Sequence, residues 1–231
     1  MLKLLRNKKL AKKIWIVLAI MVLPAFLFWG IGSMGDNKKQ SIYLGELYGK
    51  KISSTEFKDA LDAVKNLAII RYGAKFSEME KQLNLNAQAW HRLILLHEAK
   101  MRKISVSDRQ VIELIESYPF FQYKGSFDNR IYNDMLQYIF RTQPRAFEEQ
   151  TRQNLMVSKL YAQITKDVSV DDKELRQAYA KSHDQGKKEA RFDEKKYLTE
   201  KETFSQVFLE EKKQELFAKF VEDLVNKSQI K

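Results

Sequence analysis

The sequence predicts an all-α protein carried on one N-terminal transmembrane helix, on three observations. Residues 14–34 form a run of 21 positions without a charged side chain. After that run, apolar residues recur at three- and four-residue intervals through most of the chain, the period of an amphipathic helix. Only residues 42–52 suggest β structure, as a short extended segment or hairpin around Gly45 and Gly49.

The apolar run comes first. About 20 helical residues span the ~30 Å hydrocarbon core, so residues 14–34 suffice for one crossing. Trp15 and Trp29 sit near its ends, where amphipathic rings favour the interface, and a bilayer helix tolerates Pro24. Six basic residues and no acid occupy positions 1–13, which predicts a cytoplasmic tail and an exported remainder. A cleaved signal peptide would have a shorter apolar region, about 7–15 residues, before a small-residue site. The run here is longer, which favours an uncleaved anchor.

The net charge of +11 is uneven: without those six, 35 Lys and Arg face 30 Asp and Glu. The remaining chain has no basic stripe, so nucleic acid is not an expected partner. Cysteine is absent, which excludes disulfides, thiolate catalysis and cysteine zinc sites.

Residues 35–41 read as a polar tether. Ser53 and Glu56 then form a capping-box pattern ahead of Phe57, Leu61, Val64 and Ala68 on one helical stripe. Trp90, Leu93, Ile94, His97 and Met101 mark a second helix, and Ser107 with Gln110 caps a third that stops before Pro119. Asp128 caps a fourth, Thr142 and Pro144 open a long fifth, and Ser169 begins a sixth through Leu175 and Tyr179. Residues 181–202 are charge-rich, a linker or a solvated helix, and Phe204, Phe208, Phe217, Phe220 and Leu224 then resume a helical pattern.

The motifs of chemistry fail one by one. Gly30, Gly32 and Gly35 match a dinucleotide fingerprint, but they end an apolar run where that motif needs a strand before it and a helix after. His97-Glu98 opens like a zinc protease motif, yet Met101 stands where the second imidazole must be. His91 and His97 fall on different faces of one helix, and His183 stands alone. No nucleophile elbow or phosphate-binding loop is present. The expected inventory is therefore no catalytic residue, no metal and no cofactor.

Aromatic and methionine side chains crowd residues 120–140. Phe120, Phe121, Tyr123, Phe127, Tyr132, Met135 and Tyr138 are the candidate ligand-binding residues: most belong to a core, and any exposed together form an apolar patch.

Four stretches resemble the N-terminal region of the SurA and PpiD family of periplasmic chaperone–isomerases. They are Gly45-Glu46-Leu47-Tyr48-Gly49 through Ile52-Ser53 and Glu56-Phe57; Trp90 with Leu93-Ile94, Glu98-Ala99 and Ile104 to Asp108; Pro119-Phe120-Phe121-Gln122 with Gly125-Ser126-Phe127-Asp128 and Tyr132; and Pro144 to Glu148 with Val170 to Tyr179. The third is the most specific. Tyr48 stands where the family pattern has asparagine, and Arg102-Lys103 stand where it often has glycine before Ile104. The resemblance implies a SurA-N-like helical domain over 42–180, a charged linker over 181–202, and a C-terminal helix over 203–231 packing back on the domain. The family's parvulin domain would fall in that linker, whose 22 residues are too few for a domain of ~50 or more.

The implied function is a single-pass inner-membrane protein with its main domain in the periplasm, binding unfolded or newly translocated polypeptides without prolyl isomerisation. Its expected partners are exported polypeptides, lipid through the anchor, and translocon or envelope proteins. The alternatives are a dedicated scaffold for one membrane-protein partner and, third, a peptidyl-prolyl isomerase.

Overall fold

The computed structural model describes residues 43–183 and 194–228, which are mostly helical. The predicted tail 1–13, span 14–34 and tether 35–41 lie outside the described residues. Among those described, no helix is long and apolar enough to cross a membrane.

An antiparallel hairpin comes first, β1 (Tyr43–Leu47) and β2 (Lys50–Ser53), with Leu47 opposite Lys50 across the turn Tyr48-Gly49. A two-residue hairpin turn of this kind needs positive φ at both central positions, here 51° and 77°. Gly49 adopts it without penalty. Tyr48 is held there by its surroundings: its ring stacks on His97 at 4.3 Å, and its N–H donates to the Ser228 carbonyl at 3.2 Å. Lys103 is also left-handed, at φ 58°. Tyr48 and Lys103 occupy the places where the family pattern has asparagine and glycine, the residues that most readily take this conformation.

Seven helices of seven or more residues follow among the described residues. They are α1 (Ser54–Tyr72), α3 (Leu85–Met101), α4 (Asp108–Ser117), α5 (Asn129–Met135), α6 (Pro144–Ile164), α7 (Asp172–His183) and α8 (Glu194–Ser228), with the four-residue α2 (Phe76–Met79) after α1. The caps at Ser107 and Asp128 are as predicted. Ser107 and Gln110 bond reciprocally, and Asp128 accepts from the Arg130 and Ile131 N–H groups. Only half of the first capping box forms: Ser53 accepts from the Glu56 N–H, but the Glu56 carboxylate pairs with Lys50 at 2.9 Å instead. Asp171, not Ser169, accepts the first-turn N–H of α7, and α6 starts on Pro144 without a side-chain cap. Met101 belongs to no core, being 67% exposed at the end of α3. A second small hairpin, β3 (Gln122–Tyr123) and β4 (Ser126–Phe127), turns on Lys124-Gly125, so residues 42–52 are not the only β structure.

Three apolar cores organise the described residues. The largest gathers Val111 and Ile115 of α4, Phe121, Tyr132, Leu136, Phe140 and Phe147. A second joins Leu47 and Ile52 of the hairpin to Ile94 of α3 and Leu224 of α8, so the C-terminal helix closes over the first elements of the domain. Between α1, α3 and α6 runs a buried polar chain: Asn66 donates to Gln150, and Arg92 donates to Asn154, Gln153 and the Gln150 carbonyl. Burial lowers the Arg92 guanidinium to about 10, still cationic at neutral pH.

The third core, Leu175, Tyr179 and Tyr197, corrects the expected linker over 181–202. Residues 181–183 finish α7 and residues 194–202 open α8, which runs unbroken to Ser228. Tyr197 anchors this stretch, fully buried against Tyr179, while the charges around it pair: Lys201 and Arg176 with Asp172, and Arg176 with Glu194. Hydrogen bonds from Lys201 and Arg176 hold the Asp172 carboxyl at about 2, below its ordinary 3.8. A depressed carboxylate stabilises the fold above its unfolded pKa, and the contribution disappears as pH falls through the folded value. The thermal-stability advantage of the native protein over Asp172→Asn is therefore expected to be constant above about pH 4.5 and to vanish between about pH 4 and 2, followed by circular dichroism. An advantage that persists at pH 2 would contradict this pairing.

Candidate functional site

An open cleft of about 820 Å³ lies between the end of α1 and the segment that follows α5. Its volume falls in the usual range for ligand pockets, ~300–1,000 Å³. One wall is Ile69 and Ile70, followed by Gly73, whose φ of 54° ends α1 and turns the chain into α2. The other wall comes from residues 120–142, and two local features shape it. Pro119–Phe121 form a 3-10 turn that sends Phe121 into the core and leaves Phe120 on the cleft. Leu136–Phe140 then form a π-helical turn, a wider winding often found at functional sites. That turn buries Leu136 and Phe140, while Tyr138 and Ile139 stand 65% and 49% exposed on the cleft.

The polar rim is mostly compensated. Lys58 pairs with Asp62 at 2.9 Å, and Lys65 pairs with Glu80 at 2.7 Å while lying over the Phe76 ring. Asn66 reaches the cleft wall from the buried polar chain, its amide committed to Gln150 at 2.8 Å. The cleft thus offers an apolar floor and a charged edge. Nothing in it pairs a nucleophile with a base, and among the described residues no three His, Asp or Glu side chains gather as a metal site requires.

Of the seven candidates from the sequence, Phe120, Met135 and Tyr138 line this cleft. Phe121 and Tyr132 are core, 0% and 6% exposed, and offer no surface to a ligand. Burial pushes the Tyr132 hydroxyl up to about 12, with Glu148 adding to the shift. Phe127 packs half-buried against Tyr132, and Tyr123 stands exposed on the second hairpin under Lys124, away from the cleft. Ile69, Ile70 and Ile139 were not among the candidates. The run Leu67-Ala68-Ile69-Ile70 carried the signal, since four consecutive apolar residues exceed one stripe and imply a second partner for α1.

The sequence is similar to that of known proteins. The chain is 27% identical over 176 residues to the foldase protein PrsA of Caldanaerobacter subterraneus subsp. tengcongensis, covering 69% of this chain and 50% of that protein. It is 29% identical over 126 residues to the periplasmic chaperone PpiD of Escherichia coli K12, covering 50% of this chain and 20% of that protein. The chain thus spans half or less of the length of these curated relatives. No solved structure matches it. A family model for the SurA-like N-terminal domain matches residues 1–161, and the chain belongs to that family.

Proposed function

We propose that this chain is a membrane-anchored extracytoplasmic chaperone that holds apolar segments of unfolded or newly translocated polypeptides in the cleft between α1 and the π-helical turn, without isomerising prolyl bonds. The observation that carries the reading is the exposure of Tyr138 and Ile139 beside Phe120, Ile69 and Ile70 on one open apolar surface. Contiguous exposed apolar surface on a folded domain marks an interaction site. The relatives' names, chaperone and foldase, agree with it. Ordering an extended client costs entropy, so single segments bind weakly, and the anchor over 14–34 offsets this by concentrating the cleft at the membrane.

Absence of isomerase activity is supported by the connection between α7 and α8. Only ten residues, 184–193, separate His183 from Glu194, and the helices on either side are joined through Tyr179 and Tyr197. A catalytic domain of ~50 residues or more has no room there. Translocon or envelope proteins remain proposed partners, in keeping with an inner-membrane anchor and a periplasmic domain.

The test uses the full chain in lipid nanodiscs, without ATP, against several unrelated aggregating substrates. Protection is expected from the native protein, with prolyl-peptide turnover at background. Tyr138→Ser with Ile139→Ser should lose most of the protection while the unfolding free energy from urea titration stays within ~0.5 kcal/mol of native, because both side chains are exposed. Undiminished protection by the double variant would remove the cleft from the account. No protection of any substrate, with tight retention of one membrane protein, would replace it with the scaffold reading.

A further inference from the structure

The charges around the cleft do not balance. Lys58, Lys65 and Arg141 line it against one lining acid, Asp62. Lys58 is neutralised by Asp62 and Lys65 by Glu80, whereas Arg141 makes no ion pair among the described residues. Arg141 is also where the chain leaves the π-helical turn, in the left-handed conformation at φ 50°, with its N–H bonded to the Leu136 carbonyl. Glycine or asparagine is the usual occupant of such a helix-ending position, so the backbone gains nothing from arginine there. What arginine does add is an exposed cation on a residue that lines this cleft and also the neighbouring one beside Gln137 and Pro144, with no ion pair to hold it from a carboxylate.

We infer that Arg141 sets the charge preference of the cleft, which selects apolar segments flanked by an acidic residue over those flanked by a basic one. This rests on the client-binding reading and adds its specificity. The apolar contacts at Tyr138 and Ile139 hold the segment, and the unpaired cation two residues further on reads the adjoining charge. A lysine-flanked segment meets an uncompensated like charge at the same place and is disfavoured, so the device discriminates by repulsion as well as attraction.

The experiment measures fluorescence anisotropy of labelled apolar peptides, identical except for flanking Asp, Asn or Lys, binding the full chain in zwitterionic nanodiscs. The native protein should bind the Asp-flanked peptide about three- to fivefold more tightly than the Asn-flanked one, the scale of a partly exposed ion pair, with the Lys-flanked peptide weakest. Raising salt to ~0.5 M should collapse the differences. Arg141→Asn, which suits the left-handed backbone, should bind all three alike with unchanged circular dichroism, and Arg141→Glu should invert the order. Equal binding of the three peptides by the native protein overturns the inference and leaves the cleft reading standing. So does an unchanged order in Arg141→Asn. Binding of none of them removes the cleft reading, and this inference with it.

Discussion

Phe121→Ala is expected to cost ~3–5 kcal/mol of folding stability, seen as a large drop in the urea midpoint. The ring is 0% exposed and meets Phe120, Tyr132 and Phe147 edge-on or nearly so at 4.5, 5.0 and 5.8 Å. Removing it opens a cavity where α4, α5 and α6 converge, and the aromatic contacts themselves add ~0.5–1.5 kcal/mol each beyond burial. Tyr123→Ala, two residues away and 59% exposed, should stay within ~0.5 kcal/mol of native. The paired measurement separates core from surface inside the segment most specific to the family. Equal midpoints for the two variants would contradict the assignment.

Leu224→Ala should destabilise by ~2–5 kcal/mol, with an effect that spreads beyond α8. A two-stranded hairpin is marginal in isolation, and β1 and β2 bury Leu47 and Ile52 against Leu224 and Ile94. The Tyr48 turn is tied to the same helix, its hydroxyl donating to the Leu224 carbonyl at 3.3 Å. Amides of β1 and β2 are therefore expected to lose hydrogen-exchange protection together with the C-terminal turns of α8. Leu216→Ala, at a position 40% exposed on the same helix, is the control and should leave both unchanged. Retained protection of the hairpin in Leu224→Ala would show that the two ends fold independently.

Helix periodicity carried most of the architecture because α1, α3, α4 and α6 each bury one face, and short polar caps mark where α4 and α5 begin. The second hairpin left no readable trace. Its strands are two residues each, too short to show alternation, and its turn uses Lys124 at φ 51°, not an asparagine. The stretch 194–202 misled for a different reason: composition registers its many charges, while a single tyrosine, Tyr197, supplies its burial. The cleft was half legible. Aromatic content located its wall, but nothing in a one-dimensional pattern separates Phe120 from Phe121, which a single 3-10 turn sends in opposite directions. Arg92 was illegible altogether, since its acceptors Gln150, Gln153 and Asn154 lie 58 to 62 positions away.

The bond from Tyr48 to Leu224 spans 176 positions of sequence. Synthesis at ~5–20 residues per second separates the appearance of those two residues by roughly 9–35 s. Throughout that interval Leu47 and Ile52 have no α8 to bury them, and the edges of the first hairpin stay open to pairing with other chains. On this topology the first hairpin waits unburied for most of the synthesis of the chain.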